Sequence, residues 1–147
     1  MNTFLLCMNT ERKINTKEHG VVRGLAVANV ASCESSDHAK DYIAIAEGDH
    51  IIGCNSDGIR WKALIDEVVT ATDDEEDSEK KGEAVRILKG RLVARGERSI
   101  AAASKRMKAS GVALPDIFNS RGSGFRQGAL AKLLTADQAE ELESCLK

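Results

Sequence analysis

Two cysteine–histidine pairs stand at spacings that metal chemistry can use, Cys33-x4-His38 and His50-x3-Cys54. Thiolate and imidazole are common donors to tetrahedral zinc, and in a hairpin the two pairs can meet. Both spacings are loose, and no Cys-x2-Cys knuckle is present. The ordinary alternative is buried thiols and surface histidines, and the expectation is no metal and no cofactor. Cys33, Cys54, His38 and His50, with Asp37 or Asp49 as orienting carboxylates, also supply raw material for nucleophilic catalysis. Almost any chain of this size holds such a set, so the expectation is a non-enzymatic protein. Arg121-Gly122-Ser123-Gly124, ahead of an expected helix, has some parts of an anion site at a helix N-terminus. It lacks the Lys-Ser/Thr pair of a phosphate loop and reads as a plain loop.

The basic residues carry a more distinctive pattern. Residues 1–63 hold seven bases and eight acids, and residues 64–79 hold eight acids and no base. Residues 80–126 hold twelve bases against three acids, and residues 127–147 hold two bases and four acids. The net charge of −2 therefore hides an acid block followed by a basic block. Arg86, Lys89, Arg91, Arg95, Arg98, Lys105, Arg106 and Lys108, with Arg121 and Arg126 nearby, are the candidate nucleic-acid contacts. Such contacts to DNA or RNA phosphates give affinity without reading sequence. The competing accounts are a solvated face neutralised by residues 64–79, and a surface for an acidic protein partner. No recognition-helix signature and no motif that identifies a family is present.

Composition excludes several classes. Aromatic residues make up 3% of the 147 positions, too few for a base-stacking platform. Proline occurs once, at Pro115, which disfavours a long disordered linker. No apolar run approaches the roughly 20 residues of a membrane helix. The opening Met1–Met8 has no basic stretch and is too short for a signal peptide. With four widely spaced cysteines, the expected compartment is a reducing cytoplasm. Met1-Asn2-Thr3 recurs as Met8-Asn9-Thr10. Either Met8 is the natural start, or Thr3 to Met8 is an N-terminal strand.

These residues need elements to hold them. Tyr42–Ala46 and His50–Cys54 read as two short strands across Glu47-Gly48-Asp49, and Asn55-Ser56-Asp57-Gly58 as a turn. Helices over 17–32 and 37–47 are the competing reading, with Ser36 and Gly48 as caps. Trp61, Leu64, Ile65, Val68 and Val69 recur at helical spacing and predict a helix over Ile59–Thr70. Asp73–Asp77 self-repels and reads as a solvated loop or the first turn of the next helix. Val85, Leu88, Leu92, Gly96, Ile100, Ala103 and Met107 repeat with a period near 3.67. They predict a helix from Glu79 to Ala109, roughly 46 Å long at 1.5 Å per residue. Lys89 falls inside that stripe and has to snorkel. Gly82, Gly90 and Gly96 weaken the helix by about 1 kcal/mol each, and a break near Gly90 is the alternative. Ser110-Gly111 is a stop. Leu114–Phe118 reads as a short helical turn, 119–124 as a loop and Phe125–Leu134 as a helix. Thr135 and Gln138 form a capping box for a last helix to Cys145, with Ala139, Leu142 and Leu146 on one face.

The expected fold class is α+β, a small N-terminal β-containing part followed by a mostly helical C-terminal half with one long basic helix. The expected divisions are 1–72, an acidic linker 73–79 and a helical part 80–147. The functional expectation is a small cytoplasmic protein associated with nucleic acid through the basic helix, oligomerising along the apolar stripe. The alternative is a protein-interaction or assembly module, such as a viral or regulatory adaptor, that oligomerises through the same helix.

Overall fold

Trp61, Ala63 and Ile65 are buried and alternate with half-buried Lys62 and Leu64, a period of two that builds a strand. The computed structural model describes residues 1–7, 12–17, 20–77, 79–126 and 128–146. Its strands are β1 (Thr3–Cys7), β2 (Arg12–Thr16), β3 (Gly20–Gly24), β4 (Ala26–Asn29), β5 (His50–Asn55), β6 (Gly58–Thr72), β7 (Ala84–Arg98) and β8 (Ala131–Leu133). Three α-helices, α1 (Val30–Glu34), α2 (Ile100–Ala109) and α3 (Ala136–Glu143), and a 3₁₀ helix at Lys40–Ala44 complete it.

Six strands form a curled half-barrel sheet in the order β4-β7-β6-β5-β1-β8, and β2 and β3 form a separate two-stranded sheet. Only the β1–β5 pairing is parallel among these. One face of the main sheet carries Phe4, Leu6, Ile51, Trp61, Ala63, Ile65 and Leu88, packed with Cys33, Tyr42 and Ile45 from the α1 and 3₁₀ segments. The other face carries Leu5, Ile52, Cys54 and Ile59 under Ile100, Ala103 and Met107 of α2 and Leu142 of α3. A third cluster joins the β2–β3 ribbon, through Ile14 and Val22, to Val27, Ala71, Val85 and Ile87.

The mostly helical C-terminal half and the long basic helix are therefore corrected. Strand accounts for 43% of the described residues and helix for 20%, so sheet dominates the architecture. Residues 84–98 are β7, and only Ile100–Ala109 of the expected helix is helical. The expected stripe is divided among three clusters. Val85 lies in the third, Leu88 and Leu92 in the first, and Ile100, Ala103 and Met107 in the second. The argument for oligomerisation along one helical stripe falls with it. Ile59–Thr70 is likewise strand, in β6. The reason is a bulge. Ile65 opposes Gly90 and Glu67 opposes Lys89, leaving Asp66 as the extra residue. A bulge resets the parity of the buried side chains. Val68 consequently packs with Trp61 and Ile65, and their spacing of four then three imitates a helix.

Gly90 accommodates that bulge. A Cβ there would stand 2.1 Å from the Leu64 carbonyl oxygen and 3.1 Å from Ile65 Cα. Gly53 is held similarly, because the Trp61 ring lies where its Cβ would be.

Several local expectations hold. Thr3–Cys7 is a strand, while its expected last residue, Met8, and the Asn9-Thr10 echo lie outside the described residues. His50–Asn55 is a strand, and Asn55–Gly58 turns it into β6, with the Asp57 N–H donating to Asn55 Oδ1 at 2.8 Å. Its expected partner at Tyr42–Ala46 is not a strand, because Tyr42–Ala44 close the 3₁₀ helix and Ile45 caps it. Gly111 closes α2 at a φ of +72°. Leu114–Phe118 holds a turn and no helix, and Phe125–Leu134 contains β8 where a helix was expected. The capping box of α3 is complete. The Gln138 N–H donates to Thr135 Oγ1 at 3.2 Å, and the Thr135 N–H donates to Gln138 Oε1 at 3.0 Å. Asp73, expected to be solvated, is buried, and its carboxylate accepts from the Glu75 N–H. Among the described residues no helix is long and apolar enough to cross a membrane.

Candidate functional site

β4 pairs with β7 only from Val85 to Leu88. Beyond Leu88, no described strand covers that edge of β7, although Gly96 packs against Cys145 and Leu146. Basic side chains line the gap from Lys89 to Arg95. A cleft of about 410 Å³ is formed there by Arg23, Gly24, Leu25, Lys89, Gly90, Leu92 and Arg95. A second depression, of about 730 Å³, is formed by Lys13, Val21, Val22, Arg23, Glu67, Val69 and Lys89. Arg23 and Lys89 belong to both, so the two run together past the end of β4.

The strands set the direction of each side chain. Directly opposed residues on paired strands share a face. Arg95 opposes Trp61, so it stands on the face of the first core cluster. Val93 is the extra residue between Leu92, opposite Ala63, and Ala94, opposite Lys62, and this second bulge turns Arg95 to that face. Lys13 and Arg23 face each other across β2 and β3. Glu67 is the acid in the same depression. Leu25 and Leu92 add an apolar part to the first cleft.

The ten basic residues singled out in the sequence separate into distinct places. Lys89 and Arg95 line the clefts. Arg86 is half-buried and structural. Its guanidinium donates to the Ile45 carbonyl, and its own carbonyl accepts from Tyr42 Oη at 2.8 Å. Its Nε is buried and finds no acceptor among the described residues. Arg91 is exposed, 4.0 Å from Asp66. Arg98 is exposed at the end of β7 opposite Ile59. Lys105, Arg106 and Lys108 lie on α2, where Arg106 Nε donates to Glu141 of α3 at 3.2 Å. Arg121 is exposed in the loop after Asn119, and Arg126 Nε donates to the Asp116 carbonyl at 2.6 Å. Lys13 and Arg23 were missed, although they stand on exposed positions of a strand–turn–strand segment.

The cysteine–histidine residues do not converge. Cys33 belongs to the first cluster and Cys54 to the second, on opposite faces of the sheet. His38 gives its carbonyl to the Leu130 and Ala131 N–H groups. His50 stands near Lys62, Glu143 and Asp49, and burial together with the Lys62 charge lowers its pKa. Burial raises the Cys33 thiol, with Glu34 adding to it. Among the described residues no three or more metal-ligating side chains surround a common point.

No protein-family model matches the chain, and no curated protein matches it.

Proposed function

We propose that the chain associates with nucleic acid through the basic clefts along the open edge of β7. The observation that carries this reading is the convergence of Arg23, Lys89 and Arg95, from two distant segments, on one continuous depression, with Lys13 at its far end. Cations gathered on a concave surface suit a phosphate chain. The contacts are non-sequence-reading. Among the described residues no aromatic side chain lines the clefts, so the reading does not rest on base stacking.

The test is fluorescence-anisotropy titration of labelled single-stranded and duplex oligonucleotides against the full chain at several salt concentrations. Each phosphate neutralised contributes a slope near −0.9 on duplex and about −0.7 on a single strand. Changing Lys89 and Arg95 to Gln together is expected to weaken binding at least tenfold at low salt, about 1.4 kcal/mol, and to flatten the slope by about two phosphates. Changing Lys105, Arg106 and Lys108 on α2 to Gln is expected to alter affinity little. Equal losses in both variants, or no salt-dependent binding by the unmodified chain, overturn the proposal.

A further inference from the structure

The first and fifth strands bring together two cysteines that lie 47 residues apart. β1 and β5 run parallel, and the last pair in their register is Cys7 opposite Cys54. Their sulfurs are 3.9 Å apart. Neighbouring strands lie about 4.8 Å apart, within the Cα separation of about 4.4–6.8 Å that a disulfide spans. The sulfurs can therefore join by side-chain rotation while the strands stay paired.

The two thiols have unequal surroundings. Cys54 is fully buried, and its Sγ lies 3.2 Å from the Leu6 carbonyl oxygen as well as beside Cys7. Cys7 is half-buried and lines a cleft of about 470 Å³ with Asn55, Ser56, Ser123, Gly124 and Phe125. The Cys7 N–H donates to the Leu130 carbonyl at 2.7 Å, which anchors the backbone at the mouth of that cleft. One thiol is reachable, and its partner is within contact distance and shielded.

We propose that Cys7 and Cys54 form a dithiol–disulfide site whose oxidant is a hydroperoxide entering the cleft at Cys7. The Cys7 thiolate attacks one peroxide oxygen, the O–O bond breaks, and an alcohol, or water from hydrogen peroxide, leaves with the thiol proton. Cys7 is left as the sulfenic acid. The Cys54 sulfur then attacks the Cys7 sulfur, the S–O bond breaks, and the hydroxyl leaves as water with the Cys54 proton. Two thiols and one hydroperoxide give one disulfide, one alcohol and one water. Cys54 is the resolving residue because burial and the neighbouring Cys7 raise its thiol well above the ordinary value, leaving the reachable Cys7 to attack first.

The reduced full-length chain, exposed to an equivalent of hydrogen peroxide and then alkylated and digested with trypsin, tests this. Cys7 and Cys54 fall in different tryptic peptides, 1–12 and 41–60, and Cys33 and Cys145 in two others. The expected product is a 1–12/41–60 cross-link lacking two hydrogens, removed by dithiothreitol, with Cys33 and Cys145 alkylated. Cys7→Ser is expected to abolish it. Cys54→Ser is expected to leave a Cys7 sulfenic acid that dimedone traps. Should that variant fail to fold, the peptide map of the unmodified chain decides alone. Retention of all four thiols, a cross-link through Cys33 or Cys145, or a disulfide between two chains overturns the proposal.

Discussion

His50, at the start of β5, is held below its ordinary pKa by its surroundings. Burial and the Lys62 ammonium disfavour its protonated form, while Glu143 and Asp49 favour it less strongly, so its folded pKa lies below the ordinary 6.5. Between the two values the unfolded chain binds more protons than the folded one, and stability rises with pH through that interval. Above pH 6.5 both states are neutral and the effect vanishes. The expected outcome is a urea midpoint that falls on acidification from pH 7.5 to 5.5, and a shallower fall in His50→Gln. Trp61, the chain's one tryptophan and a core residue, reports the transition. Parallel profiles for the two proteins count against this account. At the same scale, the sequence placed Lys89 and Arg95 among the candidate contacts but gave Arg86 the same weight. Nothing in the local pattern tells an arginine that bonds the Ile45 carbonyl from one at an open edge.

The long β6–β7 ribbon depends on a bulge, and the bulge depends on Gly90. With a Cβ at that position 2.1 Å from the Leu64 oxygen, the obstructing atom is backbone and cannot swing aside. Gly90→Ala is expected to cost about 3 kcal/mol, at the high end for a point substitution, read from the denaturant midpoint. Gly124→Ala is the control, because its Cβ would meet only Asn119 Nδ2 at 3.5 Å, and a change below about 0.5 kcal/mol is expected. A Gly90→Ala midpoint equal to the control's would show that the ribbon shifts register freely. The same bulge explains why the helix expected over Ile59–Thr70 was wrong. Period two, interrupted once, samples the positions of period 3.6. Where an element is closed by its own neighbours the reading was sound. Thr135 and Gln138 cap α3, and Gly111 ends α2, because those bonds join residues a few positions apart.

Across the whole molecule, six of the eight acids of the acid block, Asp73 to Asp77 and Glu79, lie in the loop that joins the two strands of the long ribbon. Residues 73–83 connect β6 to β7, with Glu76 and Asp77 exposed and Glu75 half-buried. The Asp74 carboxylate accepts from the Lys17 N–H at 2.6 Å, which brings this loop to the end of β2. Under the proposed nucleic-acid association, Glu75, Glu76 and Asp77 would oppose a ligand in the clefts through their field. Neutralising them to Gln, Gln and Asn is expected to tighten oligonucleotide binding by roughly threefold near 0.02 M salt. The gain should disappear near 0.5 M, where the screening length falls to a few ångströms. A gain that survives high salt would indicate direct contact instead.

By itself, the sequence determined what short-range physics controls. This covers the turn at Asn55–Gly58, the cap at Thr135, the stop at Gly111 and the segregation of charge. Only the tertiary structure decided that residues 58–98 are a strand pair and which distant residues meet. A bulge is defined by the partner's register, so Asp66 and Val93 look ordinary within their own strands. Arg23 and Lys89 line one cleft, and Cys7 lies opposite Cys54, because packing and strand pairing join residues tens of positions apart. No periodicity along the chain encodes those distances. The apolar residues of 85–107 satisfied a helical repeat on paper, and burial in three separate clusters satisfied them better in the fold.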